Sequence, residues 1–348
     1  KICKPIGMEE YMKYQAKIIG AGHALPSRIV TSDELEAKMN FDKFNIRKGM
    51  STLLSGVRER RFAEDHENSS DYAIKAGKMA LEKANITADD VDLLLFCSIT
   101  QDFMEPATAM KIQNELGCKN ANCYDVKNAC NGFLTGIEIA NMYIETERAN
   151  TVLIVAGEVL SRFLQTNYKT AEEIQNANAT FAIGDGGGAI VLRAEKCCED
   201  IYKSKFKSVG CYWDDGVLWG GGTMHAHDVD MFYFQNETKE MIKTNFARSI
   251  EFYSSTFTEL DIDKDKVSLF IPHQITKYLT VKACEMLELP KEKMVDQVEF
   301  LGNNGCASIP IAISMALEEK RISLNSGQQI VLFGFGNGIS MATLTMKL

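Results

Sequence analysis

Residues Ala80–Thr100 (ALEKANITADDVDLLLFCSIT) and Thr256–Thr276 (TFTELDIDKDKVSLFIPHQIT) align without a gap at an offset of about 176 positions, half of the 348-residue chain. Each reads as a helix end, an acidic turn opened by Ile, a buried strand and a polar tip ending in Ile-Thr. At nearly the same offset Asn128-Ala129-Cys130-Asn131-Gly132 faces Asn303-Asn304-Gly305-Cys306-Ala307, and Thr151–Val155 faces Gln329–Phe333. Chance similarity of two helix-turn-strand units is the alternative, and recurrence of the offset at three places stands against it. A unit this long is too large for a solenoid repeat and predicts two related α/β halves packed together. Equivalent strand ends and helix starts then converge, which places Cys130, His273 and Asn303 in one strand-end crevice.

The Cys130 segment fits that geometry. Asn122–Val126 reads as a strand end, and Phe133, Ile137, Ala140 and Ile144 repeat at helical spacing, so Cys130 stands at or near a helix N-terminus. Unpaired N–H groups and the positive end of the helix dipole favour the thiolate there. The bland alternative is a small buried residue in a tight turn.

Composition narrows the function classes. The net charge of -9 argues against a nucleic-acid surface, which needs a concentrated basic face. The longest apolar runs, Val91–Cys97 and Ile330–Phe333, are strand-length and too short to cross a bilayer. Lys1–Lys17 holds no secretory apolar core and begins without Met, reading as a trimmed end. The ten cysteines lack the regular spacing of a disulfide scaffold or paired Cys-x-x-Cys zinc ligands, so a reducing cytoplasm is expected. His225-x-His227 lacks further ligands, and no metal is expected. Gly184–Gly188 has neither nucleotide-binding glycine pattern and reads as close backbone approach beside the core. His23 and His66 read as solvated loop histidines.

Several ordered motifs carry a family resemblance from about Ala16 to the C-terminus. They are Lys17-Ile18-Ile19-Gly20-Ala21-Gly22 with Leu25-Pro26, Gly56-Val57-Arg58-Glu59-Arg60-Arg61, the Cys130 segment and Ile183-Gly184-Asp185-Gly186-Gly187-Gly188-Ala189. Ile271-Pro272-His273-Gln274, Gly302-Asn303 with Ala307-Ser308-Ile309-Pro310, and Gly334-Phe335-Gly336-Asn337-Gly338 follow. Together they resemble the ketoacyl synthase III branch of the thiolase superfamily. The resemblance implies an α/β, five-layered αβαβα fold of two pseudo-twofold related halves, with boundaries here at 16–195 and 196–348, and a homodimer. It further implies a Cys130-His273-Asn303 triad acting on acyl groups carried by coenzyme A or acyl carrier protein, with no bound cofactor. A cysteine suits this chemistry because its acyl product is itself a thioester and stays electrophilic for a second attack. His273 and Asn303 would donate to the enolate-like oxyanion, and the Cys130 N–H with Gly336, Asn337 and Gly338 would hold the acyl oxygen. Asn337 stands where the family usually has a small residue.

The departures are informative. Met50, Leu54 and Ala177 stand where the fatty-acid-initiating members hold the coenzyme A adenine with a tryptophan and two arginines. An insertion around Asn40–Lys48 and a longer Tyr168–Asn176 loop are candidate replacements. Lys243, Lys277 and Lys282 remain for carrier-protein contact, whereas Tyr278, Glu285 and Met286 replace expected basic residues. Glu105 stands where the family usually has an apolar gate residue, on a loop that in the family crosses to the partner subunit, and so resembles the branch that joins two acyl chains, such as the hydrocarbon-pathway thiolase and pyrone-forming ketosynthases. Buried there, Glu105 would serve as general base on a thioester α-carbon; an exposed loop glutamate is the alternative. The resulting expectation is a Claisen-condensing acyltransferase with Glu105 from the partner subunit as base. The alternatives are a decarboxylating 3-oxoacyl synthase III, a plant-type polyketide synthase relative, a biosynthetic thiolase, an O-acyltransferase, and a non-condensing docking subunit.

Overall fold

The computed structural model describes residues 13–234 and 239–348. Its strands are β1 (Lys13–Ala24), β2 (Arg28–Thr31), β3 (Glu59–Phe62), β4 (Leu93–Cys97), β5 (Asn122–Val126), β6 (Thr151–Glu158), β7 (Gly186–Cys197), β8 (Tyr202–Ser208), β9 (Val267–Pro272), β10 (Gln329–Gly336) and β11 (Ser340–Lys347). Its helices are α1 (Ser32–Lys38), α2 (Met50–Ser55), α3 (Ser69–Lys83), α4 (Thr108–Leu116), α5 (Gly132–Glu145), α6 (Ala171–Asn176), α7 (Lys239–Glu259), α8 (Lys277–Met286), α9 (Val298–Leu301) and α10 (Ser308–Glu318).

One sheet runs β1-β7-β6-β4-β5 and the other β8-β11-β10-β9. The pairing sense repeats between them. β1/β7 and β7/β6 are antiparallel and β6/β4 parallel, as β8/β11 and β11/β10 are antiparallel and β10/β9 parallel. Thus β4 matches β9 and β6 matches β10, the pairs aligned in the sequence repeat. β5 extends the first sheet in parallel. At the same place the second sheet has, among the described residues, a parallel bridge between Phe270 and Met294 in place of a strand. β2 and β3 make a separate ribbon.

Strand alternation builds the layers. Leu94, Phe96 and Leu153 turn outward onto α3 and α4. Leu93, Leu95 and Ile154 turn inward onto α5 and α10, which also cover Leu269, Ile271 and Leu332 of the second sheet. Phe270, Val331 and Phe333 face outward onto α7 and α8. This is the expected five-layered thiolase-like fold. Each buried Leu, Ile or Phe contributes about 1.5–3 kcal/mol, and a one-residue register slip would turn every such side chain to the wrong layer. α5 shows why the central layer is tight. Phe133, Ile137, Ala140 and Ile144 are all fully buried, and a Cβ on Gly136 would lie 2.4 Å from Cys97 Sγ.

Some expectations need correction. His23 is not in a solvated loop: it lies in β1, and its Nδ1 is 2.9 Å from Ser314 Oγ. Burial lowers its pKa. His66 is exposed. The expected Tyr168–Asn176 loop contains helix α6, capped by Thr170, whose side chain accepts from the Glu173 N–H. Within the Asn40–Lys48 insertion, Phe41 is buried edge-on against Phe181 at 5.7 Å. His225 stands edge-on to Trp219 at 5.8 Å and 3.8 Å from Asp228. Among the described residues no group of three or more His, Cys, Asp or Glu side chains is gathered as a metal site, and no helix is long and apolar enough to cross a membrane.

Candidate active site

β5 ends at Val126 and α5 begins at Gly132, so four residues turn the chain sharply before Asn131 caps the helix. Ala129 takes the left-handed conformation at φ 44°, which costs about 1–3 kcal/mol in a residue with a side chain. Half-buried Cys130 follows it, two positions before the first helical residue. Asn131 makes no side-chain cap to its own helix. Its Nδ2 instead donates to Ser340 Oγ at 2.9 Å, while Asn128 Nδ2 donates to the same oxygen at 3.0 Å and to Thr135 Oγ1 at 2.9 Å. The elbow is therefore bracketed to the start of β11.

The end of β10 lies against this elbow. A Cβ on Gly336 would meet Asn128 O at 3.0 Å and both Ala129 Cβ and Asn131 N at 3.2 Å, and one on Gly334 would fall 2.1 Å from Asn131 Oδ1. Close approach requires glycine at 334 and leaves little room for a side chain at 336. Gly338 turns at φ 74°. Exposed Asn337 is held by its side chain: Nδ2 donates to Gly216 O at 2.8 Å.

His273 follows β9, and its N–H donates to Phe333 O of β10 at 2.7 Å. That bond carries the imidazole to the strand that touches the elbow. Burial pushes the His273 pKa down to about 4, and Nδ1 has no hydrogen-bond partner among the described residues. The ring is thus neutral near pH 7, with one N–H to donate. Asn303 is fixed from both sides, its N–H donating to Ala182 O at 2.6 Å and its carbonyl accepting from Gly184 N at 3.0 Å. Its Oδ1 accepts from Gly305 N at 3.0 Å, which leaves Nδ2 as the donor. Three residues on, Cys306 Sγ donates to Ala129 O at 2.9 Å and ties the Asn303 turn to the elbow. The Cys130, His273 and Asn303 segments, together with Gly336, are joined by these contacts.

Other expected residues lie apart. Glu105 is exposed on a loop whose root is fixed at Asp102, which accepts from Ser70 Oγ at 2.6 Å and pairs with Lys111 at 2.8 Å. Lys277 is paired with Glu299, which Arg58 also contacts at 2.7 Å. Lys243 and Lys282 are exposed. Leu54 is exposed and Ala177 is buried.

Sequence reasoning missed Asp185, Ser340 and Glu158. Asp185 lies in the glycine run, fully buried, accepting from Ala63 N at 2.8 Å and Ser161 N at 2.9 Å, and burial pushes its pKa up to about 6. Ser340 carried no signal. Glu158 had one: a carboxylate ends the buried strand TVLIVAGE.

Comparison with known proteins places the chain in one family. Residues 124–210 match the 3-oxoacyl-[acyl-carrier-protein (ACP)] synthase III family model, and 257–348 match the C-terminal model of the same family. The beta-ketoacyl-[acyl-carrier-protein] synthase III of Oceanobacillus iheyensis is 31% identical over 330 residues, covering 95% of this chain and 98% of the relative. That of Clostridium perfringens is 30% identical over 339 residues, covering 96% and 99%. The 3-oxoacyl-[acyl-carrier-protein] synthase III structure from Aquifex aeolicus superposes with a TM-score of 0.81 at 26% identity, over 96% of this chain and all of the other. OleA from Xanthomonas campestris, crystallised with lauric acid and lauroyl-CoA, gives 0.84 at 23% identity over 96% and 99%, a likeness of fold.

Proposed function

The chain belongs to the 3-oxoacyl-[acyl-carrier-protein] synthase III family of the thiolase superfamily, and from that premise we propose that Cys130 is the nucleophile of a two-step acyl condensation. It is a condensing acyltransferase. In the first step the Cys130 sulfur attacks the carbonyl carbon of an acyl thioester, the carbon–sulfur bond to the pantetheine breaks, and the pantetheine thiol leaves with the proton given up by Cys130. Backbone N–H groups of Cys130 and the Gly336–Gly338 loop receive the acyl oxygen. In the second step a carbanion equivalent at the α-carbon of another thioester attacks the acyl-Cys130 carbonyl and displaces the thiolate. His273 and Asn303 Nδ2 donate to the oxygen on which that carbanion's charge rests.

The observation that carries this reading is the joining of three distant segments at one elbow, through His273 N–H to Phe333 O, Cys306 Sγ to Ala129 O, and the close approach of Gly336. Intact-protein mass spectrometry after incubation with acyl-CoA or acyl carrier protein tests it. An acyl adduct is expected on the wild type and none on Cys130→Ala; a wild type that takes no adduct from any donor sinks the proposal.

For the second step we assign the base to Glu105 of the partner subunit. Its support is the placement of Glu105 beside Phe103 and Met104, two large apolar side chains exposed among the described residues. A homodimer follows from the same reading. β5 is the edge strand of its sheet, flanked by exposed Met110 on α4 and Met142 on α5, and an open edge with apolar neighbours is a surface for a second copy. Glu105→Gln should leave acylation intact and stop condensation. A decarboxylating reaction with a malonyl donor is the second reading, favoured by the full-length relatives named beta-ketoacyl-[acyl-carrier-protein] synthase III. Malonyl-dependent condensation that persists unchanged in Glu105→Gln selects it.

A further inference from the structure

Glu158 ends β6 with no surface exposed to solvent. Its hydrogen-bond partners are four N–H and O–H donors. Oε1 accepts from Ile99 N at 2.9 Å and Cys306 N at 3.2 Å. Oε2 accepts from Thr100 N at 3.1 Å and Thr100 Oγ1 at 2.9 Å. Burial raises the Glu158 pKa while these four bonds hold the charged form. A fully buried carboxylate is expensive unless all its oxygens are satisfied, and here they are.

The donors come from two places that the reaction needs in register. Ile99 and Thr100 form the root of the loop that carries Glu105, fixed again two residues later at Asp102. Cys306 belongs to the turn that carries Asn303. Gly305 in that turn has φ 54°, and a Cβ there would lie 3.0 Å from Glu158 Oε1. The Gly305 N–H is also the donor that orients the Asn303 side chain. The internal repeat gives the position a second meaning. The pairing that matches Thr151 to Gln329 matches Glu158 to Gly336, so the end of β6 supports the Asn303 turn as the end of β10 supports the Cys130 elbow.

We propose that Glu158 is a positioning residue for the carbon–carbon bond-forming step, locking the Asn303 turn to the root of the Glu105 loop. The inference rests on the functional reading above. Glu158 reaches the elbow only through Cys306, whereas Cys130 has its own bracket at Ser340, so the two half-reactions should respond differently.

Glu158→Gln preserves shape but not pairing: one oxygen becomes an NH2 group facing two donors, so one side of the lock must open. Measured separately on purified dimer, acylation of Cys130 should stay within about threefold of wild type. Reaction of preformed acyl-Cys130 with the second thioester should slow by about 30-fold or more, as for a catalytic group displaced by a fraction of an ångström to an ångström. Glu158→Asp, which keeps the charge and draws the carboxylate back by one methylene, should slow the second step less; where the Gln variant does not fold, the Asp variant decides by the same two rates. Equal loss in both half-reactions, or condensation at the wild-type rate, overturns the positioning role. A wild type that forms no acyl-Cys130 overturns the functional reading instead.

Discussion

The elbow at 128–132 and the turn at 303–307 occupy the same place in the two halves, each leading from a strand-end crevice into a central helix. They are opened by different means. In the first, Ala129 is forced to φ 44°; in the second, glycines take φ 69° at Gly302 and 54° at Gly305. Their clamps differ too. The elbow is held by two amides on one hydroxyl, Asn128 and Asn131 on Ser340, all neutral. The turn is held by the Glu158 carboxylate. The difference follows from charge. A carboxylate beside the elbow would oppose a thiolate there, while beside the turn it keeps a thiol protonated, since burial and then Glu158 push the Cys306 pKa well above its ordinary value. One half thus carries a half-buried cysteine at its elbow, and the other a buried, neutral thiol beside an oriented amide at its turn.

Adding one side chain at each turn's support breaks this comparison most severely. Gly336→Val drives a branched side chain into Asn128 O and Ala129 Cβ. Acylation of Cys130 should fall by about 100-fold, as expected for a misplaced nucleophile. Gly305→Val combines left-handed strain with a clash at Glu158. It should spare acylation relative to condensation, and single-turnover measurement of the two steps checks both variants. Matching losses in both steps would dissolve the distinction between the turns.

Acid acts next, through His273. Its pKa is lowered by burial to about 4 from an ordinary 6.5, so the ring stays neutral where a solvent-exposed histidine would already be charged. The acid limb attributable to His273 in the condensation rate should lie near pH 4, and no loss from this group is expected at pH 6. Stability moves in the same direction. Between those two values the unfolded chain binds more protons at this site than the folded one, so stability falls as pH falls through the window. Condensation rates and urea midpoints across pH 4–7 for wild type and His273→Gln separate this group from the others; an acid limb near pH 6.5 that disappears in the variant would contradict the assignment.

Much of this architecture was legible in the chain. Continuous apolar runs of strand length at Leu93–Cys97 and Ile330–Phe333, helical spacing from Phe133 to Ile144, and the repeat offset point to paired sheets and a convergent crevice. The clamps were not legible for physical reasons. Ser340 is an ordinary strand residue whose role exists only because β11 returns beside the elbow. The Lys277–Glu299 pair exists only because α9 brings Glu299 beside the start of α8. Loop 168–176 contains a helix because a Thr170 cap and acidic Glu172 and Glu173 in the first turn suit a helix start. Glu158 could have been found from the repeat, by asking what stands opposite Gly336.

The smaller effects sharpen the contrast at single hydrogen bonds. Ser340→Ala removes the acceptor shared by the buried Asn131 amide and the half-buried Asn128 amide, and about 1–3 kcal/mol of stability should be lost together with roughly tenfold in acylation. Thr343→Val, which removes the buried Thr256–Thr343 hydrogen bond of 2.9 Å from the same strand, is the control: it should cost stability without the selective loss of acylation. The Cys306 link should matter least. Cys306→Ala deletes a thiol donor to Ala129 O, worth about 1 kcal/mol at most for a neutral pair, whereas Cys306→Ser restores an O–H at that place. The thiol should also betray its neutrality. With its pKa raised and its side chain buried, Cys306 should escape iodoacetamide at pH 7 while Cys130 is alkylated, as peptide mapping of the folded protein can read. Rapid labelling of Cys306 at the rate of Cys130 would mean that the two turns share one electrostatic environment and that the carboxylate clamp does not divide them.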